Sequence, residues 1–201
     1  MLGRLRHLTT TTRNRTTGLL LATLALTVTP ALAFGVVYDG PPEGYAAYEG
    51  QTRCVKRARP GTVELAAWIN RRFDGGTAVA SLRACGGGAS EHKDGRAIDW
   101  SMDATSPADR AEVERFLGKL FAADRHGEED ARARRMGVMY LIWDDEMYAS
   151  YRNEFAPSDY LNSGCKRLRG CSPTLRHRDH VHISLSKAGA RADTSWYVAR
   201  R

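Results

Sequence analysis

No pair of the four cysteines is spaced as Cys-x-x-Cys, which argues against zinc binding by these thiols. The one glycine-rich loop, Cys85-Gly86-Gly87-Gly88-Ala89-Ser90, lacks the Gly-Lys-Ser/Thr ending of a phosphate-cradling P-loop. No internal repeat is visible, so nothing supports a repeat architecture. No acidic residue accompanies Arg4, Arg6, Arg13 and Arg15 near the start of the chain. An apolar run from Leu19 to Val28 follows, then Pro30 and Ala31-Leu32-Ala33. That order reads as a secretory signal peptide over residues 1–33, cleaved before Phe34. The uncharged stretch from Thr16 to Tyr38 is long enough to span a bilayer, but Thr23, Thr27, Thr29 and Pro30 weaken it as an anchor. No cysteine lies near the cleavage site, so a lipid anchor is not expected.

The leader carries most of the charge imbalance. The full chain is +7, and without the four leader arginines 26 basic residues face 23 acidic ones, a net +3. That modest charge gives no reason to expect a nucleic-acid partner, and it suits an anionic extracellular surface. Arg176 and Arg178 are the only arginines flanking the motifs described below that could favour a secreted nuclease. The even set Cys54, Cys85, Cys165 and Cys171 in an exported chain implies two disulfides. Of three connectivities, the reading favours Cys165–Cys171 across a short loop and Cys54–Cys85, which ties an N-terminal arm to the segment before His92.

Residues 34–60 are rich in turn formers and read as an irregular arm; residues 61–201 read as one domain. Val63 to Phe73 has helical spacing, and Ala78 to Leu82 reads as a short strand. Ala97 to Asp103 alternates apolar and polar residues, as in a strand with Asp99 on its polar face. Ser106 and Pro107 open a helix, with Asp109 placed to close a capping box and Val113, Phe116, Leu117, Leu120 and Phe121 on its buried stripe. The charged stretch His126 to Arg135 reads as a solvated helix. Val138 to Trp143, a turn at Asp144-Asp145, and Met147 to Tyr151 form a hairpin; Val181 to Leu185 is the last strand. Mixed strands and helices imply an α+β fold, a single compact domain with a central antiparallel sheet flanked by helices.

Two segments carry candidate chemistry. One holds His92 and Asp99; the other is Asp179-His180-Val181-His182. Two imidazoles and a carboxylate make a plausible zinc set that leaves the fourth tetrahedral position open for water. Three histidines, His177, His180 and His182, fall within six positions. On a strand, His180 and His182 share one face, so periodicity leaves open which of them is the ligand.

The pattern Ser90-x-His92-x-x-Gly95-x-Ala97-x-Asp99, with Asp179-His180-x-His182 downstream, resembles the D-Ala-D-Ala metallopeptidase branch of the hedgehog-type zinc superfamily. That branch includes zinc carboxypeptidases of bacterial cell walls, VanX-type dipeptidases and phage L-Ala-D-Glu endolysins. The resemblance spans roughly residues 80 to 186 and is dense only at the two motifs. It implies Zn2+ held by His92, Asp99 and His182, with Asp179 as general base and Arg83 stabilising the oxyanion. Ser90 and His180 become substrate contacts or supports of the ligands. The segment between Arg83 and His92 is shorter and richer in glycine than in the carboxypeptidases. The expected protein is a secreted, cell-wall-associated monomer that hydrolyses peptidoglycan stem peptides by metal-activated water. No membrane insertion is expected once the leader is removed. The alternative is a non-catalytic cell-wall-binding module on the same fold.

Overall fold

In a computed structural model, Tyr38 and residues 40 to 201 are described. The expected leader lies outside these residues, and among them no helix is long and apolar enough to cross a membrane. Six antiparallel strands form one sheet: β1 (Ala78–Val79), β2 (Ala97–Ser101), β3 (Val138–Trp143), β4 (Glu146–Ala149), β5 (Pro157–Asp159) and β6 (His180–Leu185). Their order is β1-β2-β6-β3-β4-β5. The last strand thus lies in the middle of the sheet, between β2 and β3. With the helices α1 (Pro60–Arg72), α2 (Pro107–Phe121), α3 (Ala131–Met136), α4 (Lys187–Ala190) and α5 (Ser195–Val198), this is the α+β architecture expected from the sequence.

The alternation in the strands divides the sheet into two faces. Ile98 and Trp100 of β2, Leu141 and Trp143 of β3, and Val181, Ile183 and Leu185 of β6 join the main core. Leu65 and Ile69 of α1 and Val113, Phe116 and Leu120 of α2 complete it. Phe73, Trp100 and Phe116 pack as an aromatic triangle with centroids 5.2 to 5.9 Å apart, in the tilted and edge-on geometry that aromatic quadrupoles favour. The opposite face carries Asp99, His180, His182 and Ser184, together with a small apolar cluster of Met139, Tyr140, Ile142 and Ala149.

One irregularity decides what β3 offers that second face. The β3–β6 register shifts between Val138 and Tyr140. Val138 and Leu141 both face the main core although they are three positions apart. The extra residue turns Tyr140 onto the face of His182, the kind of re-aiming that bulges commonly provide.

Several local expectations need correction. Helix α1 begins at Pro60, three residues earlier than its apolar spacing suggests, because proline is well suited to the first helical turn. Ser106 does cap α2, accepting from the Asp109 amide at 3.3 Å. The Asp109 carboxylate, however, accepts from Asp103 N at 2.8 Å instead of closing a box on Ser106. Regular strand in Ala78 to Leu82 is confined to β1, and β2 ends at Ser101, two residues short of Asp103. The charged stretch from His126 is helical only in α3, where Arg135 is buried and its guanidinium donates to Gly40 O at 2.6 Å. Arg135 thus anchors the arm, while His126, Glu129 and Arg132 of the same stretch are exposed as expected. The arm has no regular secondary structure but is fastened, with Tyr45 Oη donating to Asp130 at 2.8 Å and Val55 N to Lys93 O at 2.8 Å. Both disulfides are paired as expected, Cys54–Cys85 and Cys165–Cys171.

Gly95 closes the loop between His92 and β2. Its φ is +70°, and a Cβ there would meet Arg57 O at 2.9 Å and Val55 Cγ2 at 3.0 Å. Its carbonyl accepts from Arg59 N and Thr62 Oγ1, both at 2.9 Å. Gly95→Ala combines a left-handed backbone with a clash, and we expect it to cost about 1–3 kcal/mol of stability. Chemical denaturation checks this; a midpoint equal to that of the unaltered protein would show that the loop yields freely.

Candidate metal centre

Antiparallel pairing places Asp99 of β2 directly opposite His182 of β6. The consecutive turns of residues 91–95 fold His92 over the same point; it is only 1% exposed. His92 Nε2, His182 Nδ1 and Asp99 Oδ1 then form an equilateral triangle with all three separations 3.2 Å. A tetrahedron with that edge has its centre about 2.0 Å from each corner, a normal distance from a small divalent metal to imidazole nitrogen or carboxylate oxygen. These residues are also the group of metal-capable side chains found among the described residues. The expected ligand set is therefore brought together, and its donor atoms fit an ion.

The outer edges of both rings are held by protein groups. His92 Nδ1 lies 3.1 Å from Ser81 O, which can only accept, so the proton sits on Nδ1 and the Nε2 lone pair faces inward. The Ser81 hydroxyl, 2.8 Å from the same nitrogen, donates to Asp99 Oδ2 at 3.0 Å and so joins two of the three donors. His182 Nε2 meets Ser184 Oγ at 2.9 Å, leaving Nδ1 to face the centre. Tyr140, directly across from Ser184, stacks on the His182 ring at 5.6 Å and donates its hydroxyl to buried Glu91 at 2.7 Å. Burial and the neighbouring Glu91 charge push the Tyr140 phenol far above its ordinary pKa, so it remains a donor. Such outer contacts fix ring orientation and strengthen ligand basicity. Ser81, Ser184, Tyr140 and Glu91 were not singled out from the sequence. Each is an ordinary strand or loop residue until the sheet is assembled.

Charge in the centre follows from the same contacts. Burial would raise the Asp99 carboxyl, but hydrogen bonds and charge from His182 and His92 outweigh it and hold the group well below the usual range. His182 is pushed down, first by burial, which keeps its ring neutral and its lone pair available.

The second motif builds a pair beside the triangle. His180 Nε2 lies 3.7 Å from Asp99 Oδ1, while its Nδ1 is 2.7 Å from Asp179 Oδ1. Asp179 also accepts from Thr174. Burial alone would raise the Asp179 carboxyl, but its hydrogen bonds from Thr174 and His180 hold it below the usual range. The ring of His180, not the carboxylate behind it, is thus the group beside the donor triangle. A cleft of about 690 Å3, lined in part by Gly76, Ser101, Met102 and Arg178, ends at Asp179.

Arg83 is exposed and makes no side-chain hydrogen bond or ion pair among the described residues. Ser90 is engaged through its backbone, its carbonyl accepting from Lys93 N at 3.0 Å and its amide donating to the Gln51 side-chain Oε1 of the arm at 2.9 Å. Neither residue is joined to the triangle by a hydrogen bond. Arg176 and Arg178, the two arginines flanking the second motif, are paired with Asp145 and Asp144 at 2.6 and 2.9 Å and fasten the preceding loop to the β3–β4 turn.

His177 is the further residue that the geometry adds. It has φ +52°, is buried, and its ring lies 4.8 Å from that of His180 and 5.6 Å from that of His182. Its Nδ1 has no hydrogen-bond partner among the described residues. The histidine cluster in the sequence held this residue, but spacing gave it no role.

The family described as VldE, C-terminal domain, matches residues 54–167, more than half of the chain, and the protein belongs to that family. The matched segment contains His92 and Asp99; Asp179, His180 and His182 follow it. No curated protein and no solved structure matches the chain.

Burial, followed by the neighbouring imidazoles, depresses His177 to about 3. Its unfolded counterpart protonates near pH 6.5, so this residue's contribution to stability should decline as pH falls from about 6.5 toward 3. NMR titration of ring carbons in metal-free protein should find the His177 ring neutral throughout that range. A midpoint near 6.5 for the His177 ring would show that it is hydrated.

Proposed function

We propose that this protein is an exported zinc-dependent peptidase acting on peptidoglycan stem peptides. The observation that carries the reading is the 3.2 Å donor triangle with the His180–Asp179 pair beside it, Asp179 also lining a cleft. Zinc suits a site of two imidazoles and one carboxylate with a further position open. The peptide substrate class rests on the resemblance of the two motifs to cell-wall metallopeptidases. Export rests on the leader pattern and is supported by the two disulfides, which persist in oxidising surroundings.

His92, Asp99 and His182 would hold the ion. When bound, it would supply Lewis-acid polarisation of the scissile carbonyl and acidify a water. The protein's own part is proton handling. His180 Nε2 takes a proton from the attacking water while Asp179 holds the orientation of the ring through Nδ1. The same nitrogen then returns the proton to the departing amine. Asp179 acts in this scheme through His180, a refinement of the direct general-base role implied by resemblance. Ser81 and Ser184 orient the two ligand rings, and Tyr140 backs His182.

Purified mature protein incubated with muropeptides, with and without chelator, tests the reading by mass spectrometry. Discrete products that vanish with chelator and return with zinc are expected. Intact muropeptides that co-sediment with the protein would select the non-catalytic binding module instead.

Variants separate the roles. His92→Ala, Asp99→Ala and His182→Ala should each lose zinc by elemental analysis. His180→Ala and Asp179→Asn should retain zinc while turnover falls by about 10²-fold or more, the usual loss when an acid–base group is removed. A metal-free His180→Ala beside a zinc-loaded His182→Ala would reverse the ligand assignment.

Tyr140→Phe and Ser184→Ala should keep the fold but weaken zinc affinity by about 10- to 100-fold in a chelator competition. Unchanged affinity in both would show that the contacts behind His182 only fill space.

A further inference from the structure

A second concentration of charge lies away from the donor triangle. A cleft of about 370 Å3 is bounded by the arm, the start of α1, the loop after His92 and α4. Its charged lining is Arg53, Arg59, Arg96, Lys187 and Arg191 against the single acid Asp94. Arg96 and Asp94 are both buried and pair at 3.2 Å, and Arg96 also donates to Glu49 O at 2.6 Å. They form a neutral structural floor. Arg191 shares Asp193 at 2.7 Å. Arg59 donates only to the carbonyl of Asp94, at 3.3 Å. Arg53 and Lys187 have no side-chain hydrogen-bond or ion-pair partner among the described residues.

Three cations without an acidic partner, Arg53, Arg59 and Lys187, therefore converge beside the paired Arg191 above a neutral floor. Lys187 is half-buried and its ammonium has no ion-pair partner among the described residues, while the Glu49 carboxylate accepts from the Lys187 backbone amide. Like charges gathered in a cleft repel one another and focus a positive field outward. An anion placed there would relieve the repulsion and gain charge-assisted hydrogen bonds from guanidinium and ammonium donors.

We propose that this cleft is an anion-binding site for a ligand bearing phosphate or carboxylate groups. It would be separate from the metal centre and independent of the peptidase reading. None of its lining residues belongs to the donor triangle or to the His180–Asp179 pair.

Amide NMR titrations of the folded, disulfide-bonded protein with inorganic phosphate and with glutarate, at ionic strength fixed by sodium chloride, test it. Saturable shifts are expected in residues 52–53 and 187–191 with at least one of the two. Response to phosphate alone or glutarate alone identifies the favoured anion, and response to both identifies general dianion binding. The double variant Lys187→Met, Arg191→Met should bind at least about 10-fold more weakly, the scale expected when two charged hydrogen-bond donors are lost. Added chelator should leave binding unchanged. Shifts that do not saturate with either anion, or equal affinity in the double variant, would reduce the effect to general charge screening and overturn the site.

Discussion

The site depends on the pairing of β2 with β6. Residues 83 positions apart in the chain meet because these strands run antiparallel with Asp99 opposite His182. A shift of that register by one residue would turn every polar side chain of β6 into the core and Val181 and Ile183 onto the site face. Burial of Ile98 and Trp100 on one side and Val181, Ile183 and Leu185 on the other opposes such a shift. The hydrophobic core therefore fixes the geometry of the donors from the opposite face, and His92 needs only a tight turn closed at Gly95 to complete it.

Around this frame, polar residues restrict the freedom of the donors. Ser81 holds two donors at once, and Ser184 fixes the ring of the third. A bulge brings Tyr140 behind His182. On the other flank, Asp179 directs His180 toward the same point, and paired arginines hold the preceding loop to the β3–β4 turn. The centre thus has a closed, hydrogen-bonded back, and Asp179 on its flank also lines a cleft.

Much of the fold was legible in the residues. Strict alternation identified β2, and the all-apolar run identified β3. Ser106 and Pro107 marked the start of α2 because their side-chain chemistry acts locally. The errors also have local causes. Charges from His126 to Arg135 suggested solvent exposure, but Arg135 is buried by contacts with the arm nearly a hundred residues away. The short strand β5 contains Pro157 and carries no alternation long enough to notice.

While the structure selected one of the three possible disulfide pairings, the sequence by itself determined the donor types, the even set of four cysteines and the α+β layering. Each depends on residue chemistry or on a repeat of two or four positions. It left open the relation of His180 to His182, because both occupy the same face of one strand. Only the tertiary structure placed His182 in the triangle and His180 beside it, and recruited Ser81, Ser184, Tyr140 and Glu91 as their supports. Those relations arise from register, a single bulge and a loop crossing, and no short window of sequence contains the distances that such long-range packing sets.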